Sequence, residues 1–157
     1  MRWFWYLIVL VKTLRYHRVV GVSMEPGIRF GDRLLVARIS HFGYKPKRGD
    51  IVVLDEPSDG GRHFLKRLVG LPGETVTFDE GLMLIDGTRL GDPYLGGFPA
   101  VTGLSFMEWN LKQGEYFVLG DNRFHSTDSR VFGPINLNDI AGKAWFRYWP
   151  YSKIGRV

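Results

Sequence analysis

The chain has 157 residues, of which 45% are hydrophobic and 24% charged, so its length fits one globular domain and its composition excludes a disordered tail or a protein with many membrane spans. The 21 Lys and Arg residues outnumber the 16 Asp and Glu residues, and the formal net charge of +5 favours an anionic neighbour such as a lipid surface or nucleic acid. The chain contains no cysteine, which excludes disulfides, a thiol nucleophile and cysteine-based metal sites.

The first predicted element is an apolar run at residues 3–11 with basic residues on both sides. A helix needs roughly 20 apolar residues to cross a bilayer, so this run fits an interfacial anchor or part of a span. Its Trp and Tyr residues are typical of the headgroup boundary. A buried N-terminal helix or strand is the alternative. We predict that residues 1–18 form a membrane-associating segment and that residues 19–157 form a single β-rich domain.

Short strands are predicted along the rest of the chain, because runs rich in Val, Ile, Leu and aromatic residues alternate with Gly, Pro and Asp. The predicted strands are residues 33–39, 50–55, 64–70, 75–78, 82–85, 116–119 and 141–148. Glu80-Gly81 and Asp86-Gly87 are typical hairpin turns. Residues 90–110 are predicted to form a long surface excursion, and residues 138–140 a helical turn. The predicted fold class is mainly β, with coiled sheets around one core.

Motifs for metal, nucleotide and β-lactam chemistry do not occur in the sequence. The four histidines lack the spacing of paired metal ligands, and the phosphate-loop, G-x-G-x-x-G and S-x-x-K motifs are absent. We therefore predict neither a metal site nor a cofactor.

A serine and a lysine remain as candidates for catalysis. Ser23 lies in a turn-favouring segment, residues 21–27, where a hydroxyl can project from a constrained backbone. Strand alternation places Lys66 between Phe64 and Leu68 on one face, so loss of hydration should lower the pKa of its amine from about 10.4. A neutral lysine can take a proton from serine. An ordinary turn serine and a lysine that extends to water are the alternative interpretation.

Three groups of motifs resemble, in order, those of type I signal peptidases, the Ser-Lys endopeptidases of the S26 family. The first group is S-M-x-P at residues 23–26 with G-D-R-L-L-V at 31–36, and the second is R-G-D-I-V-V at 48–53 with K-R-x-x-G-x-P-G at 66–73. The third group is G-D-N-R-x-x-S-x-D-S-R at 120–130, F-G at 132–133 and G-K-A at 142–144. The resemblance implies coiled antiparallel β-sheets of the signal-peptidase and LexA-like type.

The resemblance also implies the central roles in catalysis. Ser23 would be the nucleophile and Lys66 its general base. Ser126 would orient the lysine amine, while Asp128 and Arg130 would brace the site from behind.

The remaining implied roles concern support and the substrate pocket. Asp121 would pair with Arg67, which strand alternation turns away from the lysine. Met24 would line the substrate pocket, and the Ser23 backbone N–H would hold the oxyanion. Some family members carry a second donor, a serine, at the position that is Gly21 here.

The implied function is that of a membrane-associated serine endopeptidase that cleaves signal peptides from exported precursors. The substrate would pair with a strand edge and carry small side chains near the scissile bond. The expected partners are the signal-peptide region and membrane lipid, without nucleic acid. Several aromatic residues are candidates for lipid contact, with core packing as the alternative for at least half of them: Phe42, Trp145, Trp149 and Tyr151.

The predicted location is the cell membrane, with a single-pass or interfacial anchor and the catalytic domain on the extracytoplasmic side. The basic residues around the apolar run, counted alone, favour the opposite orientation, because more of them follow the run than precede it.

Other functions remain as alternatives from the sequence. A mitochondrial inner-membrane or conjugation-associated processing peptidase can use the same Ser-Lys dyad. A self-cleaving repressor would need a DNA-binding domain ahead of Ser23, and only about twenty residues precede it. A basic β-barrel that binds single-stranded nucleic acid fits the charge but lacks an alternating basic and aromatic platform. An inactive binding relative is the fourth alternative.

Overall fold

The computed structural model describes residues 14–38, 45–55, 63–91 and 106–157, and about half of these lie in β-strands. The first six strands are β1 (Leu14–Arg18), β2 (Arg33–Ala37), β3 (Ile51–Asp55), β4 (His63–Gly70), β5 (Thr75–Asp79) and β6 (Leu82–Ile85). The other six are β7 (Thr88–Arg89), β8 (Met107–Asn110), β9 (Glu115–Leu119), β10 (Ile135–Asn136), β11 (Ile140–Trp149) and β12 (Gly155–Arg156). A short helix, α1, spans Ser129–Phe132, and two 3-10 helices span Leu137–Asp139 and Tyr151–Lys153.

The predicted strands and hairpin turns are present in the structure. Each predicted strand corresponds to an observed one, with ends that differ by at most two residues. Glu80-Gly81 and Asp86-Gly87 have positive φ at all four positions, between 47° and 80°. Two-residue turns with left-handed backbone at both positions match the twist of antiparallel strands. The prediction of a mainly β fold with antiparallel sheets is confirmed.

The larger sheet has the strand order β1-β2-β11-β3-β4-β9-β10, with β12 paired to β11, and its pairs are antiparallel. Strand β9 pairs with β4 only from Arg67 onwards, so the first half of β4 has no strand partner on that side among the described residues. The edge strand β1 lies near this half, because the rings of His17 and His63 are 5.0 Å apart. Two strand edges therefore lie close together just before the segment that carries Ser23.

The smaller sheet has the strand order β7-β6-β5-β8. Its apolar face packs on β9 and forms one cluster, which includes Phe78 and Phe117. A second cluster, which includes Met24 and Ile28, lies under the Ser23 segment, and a third, which includes Leu68, lies between β3, β4 and β9. The apolar residues thus form three clusters instead of the expected single core, because each sheet and the Ser23 segment bury separate apolar faces.

Two of the observed strands were not among those predicted from the sequence. Residues Leu14–Arg18, predicted to associate with a membrane, pair along their whole length with β2. Residues Met107–Asn110, predicted to lie in a surface excursion, pair with β5, because Met107 and Trp109 pack on the apolar cluster of the smaller sheet. The apolar run at 3–11 and residues 92–105 lie outside the described residues. None of the described helices is long and apolar enough to cross a bilayer.

Candidate active site

Ser23 begins a tight turn, residues 23–27, between β1 and β2. The Glu25 N–H donates to the Val22 carbonyl at 3.1 Å, and the Ile28 N–H donates to the Met24 carbonyl at 2.9 Å. Met24 and Ile28 are buried in the apolar cluster below the turn. These two anchors fix the backbone around Ser23, while the Ser23 side chain stays partly accessible.

Lys66 approaches Ser23 from the middle of β4. Its side chain is only 3% exposed, and its cross-strand neighbour on β3 is the buried Val52. The Nζ atom lies 5.4 Å from the centre of the Phe64 ring. It forms a hydrogen bond of 3.1 Å with Ser23 Oγ, across 43 residues of chain. The fold therefore brings the predicted serine and lysine together.

The surroundings of Lys66 favour its uncharged form. Burial is the largest influence and lowers the pKa of the amine. The nearby Asp128 carboxylate raises this pKa, and the Arg130 guanidinium lowers it. An uncharged amine can accept the proton of the Ser23 hydroxyl, so the arrangement suits a nucleophile and its base.

Asp128 and Arg130 form a buried ion pair behind the lysine. Asp128 is fully buried and caps α1, and both of its oxygens accept hydrogen bonds from the Arg130 side chain at 2.8 Å. The Gly120 N–H donates to the same carboxylate at 3.0 Å. Arg130 also donates to the Arg123 carbonyl at 2.8 Å. The pair thus joins the end of β9 to the start of α1.

Arg67 and Asp121 form a second buried ion pair on the opposite face of β4. Two hydrogen bonds of 2.7 and 2.8 Å connect the guanidinium to the carboxylate. Arg67 also donates to the Gly49 carbonyl at 2.8 Å. Because Asp121 begins the loop at residues 121–128, this bidentate contact fixes the loop relative to the strand that carries Lys66.

Asn122 and Gly120 hold the Ser23 turn against this loop, and the sequence reasoning gave neither of them a role. The Asn122 N–H donates to the Ser23 carbonyl at 3.0 Å, and its side-chain amide donates to the Val22 carbonyl at 3.2 Å. A Cβ atom added to Gly120 would lie 2.6 Å from the Ser23 carbonyl oxygen. The signal for both residues was their place in the G-D-N-R motif, which by itself does not say what they contact.

Ser126 lies beside these residues, but its hydroxyl makes no hydrogen bond in the described part of the chain. The buried Oγ packs on Gly120, where an added Cβ atom would lie 2.2 Å from it. The hydrogen bond to Lys66 that the resemblance implies is not formed in this arrangement. Gly21 is exposed, with open space beside its Cα.

Two hollows flank Ser23. A groove of about 550 Å³ is lined by Ser23, the buried Met24 and residues 17–21 and 63–65. A second hollow of about 380 Å³ is lined by Glu25, Pro26 and residues 121–125. A peptide that lies across Ser23 can therefore contact the protein in both hollows.

Known proteins are similar in sequence to this chain over most of its length. Residues 3–149 match the family described as signal peptidase, peptidase S26. The chain is 34% identical to signal peptidase I of Bacillus caldolyticus, with 97% of this chain and 92% of that protein aligned. It is 36% identical to probable signal peptidase I-1 of Synechocystis, over 96% of this chain and 81% of that protein.

A solved structure agrees with these relatives. The crystal structure of a signal peptidase I from Enterococcus faecalis matches with a TM-score of 0.55 and 33% identity, and the match covers 64% of this chain and 97% of that one. The chain belongs to the S26 family of signal peptidases.

Proposed function

We propose that the protein is a peptidase that removes signal peptides from exported precursors, with Ser23 as nucleophile and Lys66 as general base. The 3.1 Å contact between Lys66 Nζ and Ser23 Oγ, made by a buried lysine, is the observation that carries the proposal. The relatives described above are named signal peptidases, and the mitochondrial, conjugation-associated and nucleic-acid-binding alternatives are not favoured.

The proposed reaction has two steps. Lys66 takes the Ser23 proton as Oγ attacks the scissile carbonyl carbon, and the amine of the mature chain leaves with a proton from the lysine. The resulting ester on Ser23 is then attacked by a water molecule that Lys66 deprotonates. This releases the signal peptide with a free carboxylate and restores the serine hydroxyl.

The oxyanion needs hydrogen-bond donors near Ser23. The Ser23 N–H is the first candidate, because it donates no hydrogen bond to the described residues. Gly21 contributes no side-chain donor. We propose that the Asp128–Arg130 and Arg67–Asp121 pairs keep the site rigid. A positioning role for Ser126 towards the lysine amine rests on the motif resemblance, because its hydroxyl makes no hydrogen bond to Lys66 in this arrangement.

The signal-peptide side of the substrate would lie in the groove of about 550 Å³. The groove runs along the edge of β1 and the first half of β4, which lack a strand partner there among the described residues. An extended peptide can bind such edges through its backbone. The apolar walls near Ser23, including Met24, suit small side chains next to the scissile bond.

Membrane lipid is the second proposed partner. Tyr16 and Tyr151 are about three-quarters exposed, and Trp149 lies in register with Arg33, the cross-strand neighbour of Arg18. Exposed aromatic rings next to basic residues suit an anionic membrane surface. We propose attachment to the cell membrane, with the catalytic domain on the extracytoplasmic side where exported precursors emerge.

Substitution of the two catalytic candidates tests the function. Ser23→Ala and Lys66→Ala should each lower kcat/KM for a precursor peptide by at least about 1000-fold, because either loss disables the nucleophile. The control variants Ser152→Ala and Lys112→Ala change the same residue types at exposed positions. Cleavage at the wild-type rate by either site variant would refute the assignment. A labelled oligonucleotide in the same assay should remain unbound.

A further inference from the structure

The end of the Ser23 turn is held by a residue from a distant strand. Arg147 of β11 donates through Nη1 to the Gly27 carbonyl at 2.8 Å, across 120 residues of chain. The Asn122 contacts described above hold the Val22 and Ser23 carbonyls at the start of the turn. The turn is therefore restrained at both ends, and the catalytic steps proposed above give the second restraint no role.

Two further contacts fix the direction of the Arg147 guanidinium. Its Nη1 atom also donates to Asp32 Oδ2 at 2.9 Å, and its Nε atom donates to the Lys153 carbonyl at 2.8 Å. The side chains of Arg147 and Asp32 are only 15% and 5% exposed. A guanidinium presents its N–H groups in a rigid plane, so acceptors on several elements leave it little freedom. The donor to the Gly27 carbonyl is therefore held in one place.

Asp32 also closes the base of the segment that carries Ser23. Its carbonyl oxygen accepts a hydrogen bond of 2.9 Å from the Val19 N–H. Its carboxylate accepts the Arg29 N–H at 3.0 Å as well as the Arg147 guanidinium. Asp32 is the acidic residue of the G-D-R-L-L-V motif, to which the proposed mechanism gives no role. This motif therefore helps to hold the segment of the nucleophile.

Arg147 connects the turn to the same sheet that carries Lys66. Strand β11 pairs with β3, and β3 pairs with β4, where Lys66 lies opposite Val52. The register of β11 against β2 shifts on both sides of residues 146 and 147, and such irregularities redirect side chains. The positions of the serine and of the lysine are therefore both tied to one set of hydrogen-bonded strands.

We propose that Arg147 and Asp32 form a positioning pair that holds Ser23 at hydrogen-bond distance from Lys66. The inference rests on the proposed function. Both residues act through the backbone, since their hydrogen bonds reach Gly27 and the base of the segment rather than the serine hydroxyl. A displacement of a reacting group by about 1 Å can lower a rate by about 100-fold, so loss of this restraint should be visible in kcat.

Substitution of Arg147 should lower kcat much more than it changes KM. Arg147→Gln removes the charge and the branched donor, and kcat for a precursor peptide should fall by about 10- to 100-fold. KM should stay within about twofold of the wild-type value, because β2 and β3 still hold the strand edges that line the groove. The acidic limb of the kcat/KM profile should stay in place, because the charges that act on the pKa of Lys66 are Asp128 and Arg130.

A conservative variant and a double variant separate positioning from general stability. Arg147→Lys keeps a cation beside Asp32 and should recover part of the lost kcat. The double variant Arg147→Gln, Asp32→Asn should be no less active than the less active single variant, because both substitutions break the same contact. Urea unfolding checks that each protein is folded under the conditions of the assay. The control Arg156→Gln, which changes an exposed arginine, should have the wild-type kcat.

Three kinetic results would overturn the inference. These are a kcat of Arg147→Gln within about twofold of the wild type, a fall in kcat that matches the loss of folded protein, and losses that multiply in the double variant. If Arg147→Gln does not fold, Arg147→Lys serves for the same measurements, with a smaller expected fall in kcat.

A crystal structure of Arg147→Gln tests the positioning without any need for activity. Ser23 Oγ should lie farther than about 3.5 Å from Lys66 Nζ, beyond hydrogen-bond distance. An unchanged contact would count against the pair. Absence of cleavage by the wild-type protein would refute the proposed function, and the distance between the two atoms would still decide the role of Arg147.

Discussion

At the scale of single residues, Lys66 combines a catalytic advantage with a cost in stability. The residue is buried, and the Asp128 carboxylate, which raises the pKa of its amine, is already paired with Arg130. The folded protein therefore favours the uncharged lysine, as the lowered pKa indicates. A general base near neutral pH requires this same property.

The cost should appear in the pH dependence of stability. The folded protein lowers the pKa of Lys66. At any pH between this lowered pKa and the unfolded value of about 10.4, the unfolded chain therefore binds more protons than the folded protein does. The free energy of unfolding of the wild type should therefore rise with pH over this range. Lys66→Met should lack this contribution and, near neutral pH, be more stable by on the order of 1 kcal/mol.

Urea unfolding at pH 6.5 and pH 9 measures the difference. The difference in free energy of unfolding between Lys66→Met and the wild type should be smaller at pH 9 than at pH 6.5. Lys112→Met, at an exposed position, serves as the control. An equal gap at both pH values would contradict a lowered pKa for Lys66.

The positive charge of Arg130 should also influence the pKa of Lys66. The guanidinium lowers the pKa of Lys66, so Arg130→Gln should raise it by removing the positive charge and leaving Asp128 uncompensated. The acidic limb of the kcat/KM profile should move to higher pH. Arg156→Gln, an exposed position, should leave the limb in place. A purely structural role for Arg130 would lower kcat/KM without moving the limb.

At the scale of elements, the site depends on how closely the end of β9 approaches the Ser23 turn. Gly120 allows this approach, because the Ser126 side chain and the Ser23 carbonyl occupy the space of its missing Cβ atom. The Asn122 hydrogen bonds then hold the turn against the loop. Side-chain size at one position thus controls the place of the catalytic serine.

Gly120→Ala should displace the turn or the loop. The expected cost is about 1–3 kcal/mol of stability, as for other overpacked sites, together with a large fall in kcat. Urea unfolding and peptide cleavage measure the two effects. Gly155→Ala is the matched control, since a Cβ atom there meets no atom within 4 Å. Wild-type activity of Gly120→Ala would show that the close approach is not required.

At the scale of the whole molecule, the coiled larger sheet brings together the groove and an exposed aromatic surface. Trp149 and Tyr151 make an edge-to-face contact with ring centres 4.7 Å apart, and the Arg33 guanidinium lies 5.6 Å from the centre of the Trp149 ring. Of the aromatic residues proposed for lipid contact, Trp149 and Tyr151 are exposed, Trp145 is half-buried, and Phe42 lies outside the described residues.

Removal of these rings should weaken membrane binding without changing the chemistry. We expect the Trp149→Ala, Tyr151→Ala double variant to bind anionic vesicles at least about threefold more weakly. It should cleave a soluble peptide at the normal rate and a vesicle-tethered precursor more slowly. Val131→Ala, which removes an exposed apolar side chain on α1, is the control. Equal vesicle binding by all three proteins would contradict the proposed surface.

The sequence alone determined the mainly β class, the hairpin turns and the family. Strand alternation and Gly-containing turns are local, so Glu80-Gly81 and Phe64–Leu68 could be interpreted without knowledge of distant contacts. The series of motifs predicted Ser23 and Lys66 as a catalytic pair. Residue spacing alone did not distinguish this pair from a turn serine and a solvent-facing lysine with ordinary structural roles.

Only the tertiary structure decided which distant residues meet. The 3.1 Å contact of Lys66 with Ser23, the place of Asn122 and the pairing of Leu14–Arg18 with β2 depend on how the sheet coils. The meeting of His17 with His63 has the same origin. Contacts between residues far apart in the chain arise from packing of whole faces, and local propensity and periodicity carry no information about which faces meet.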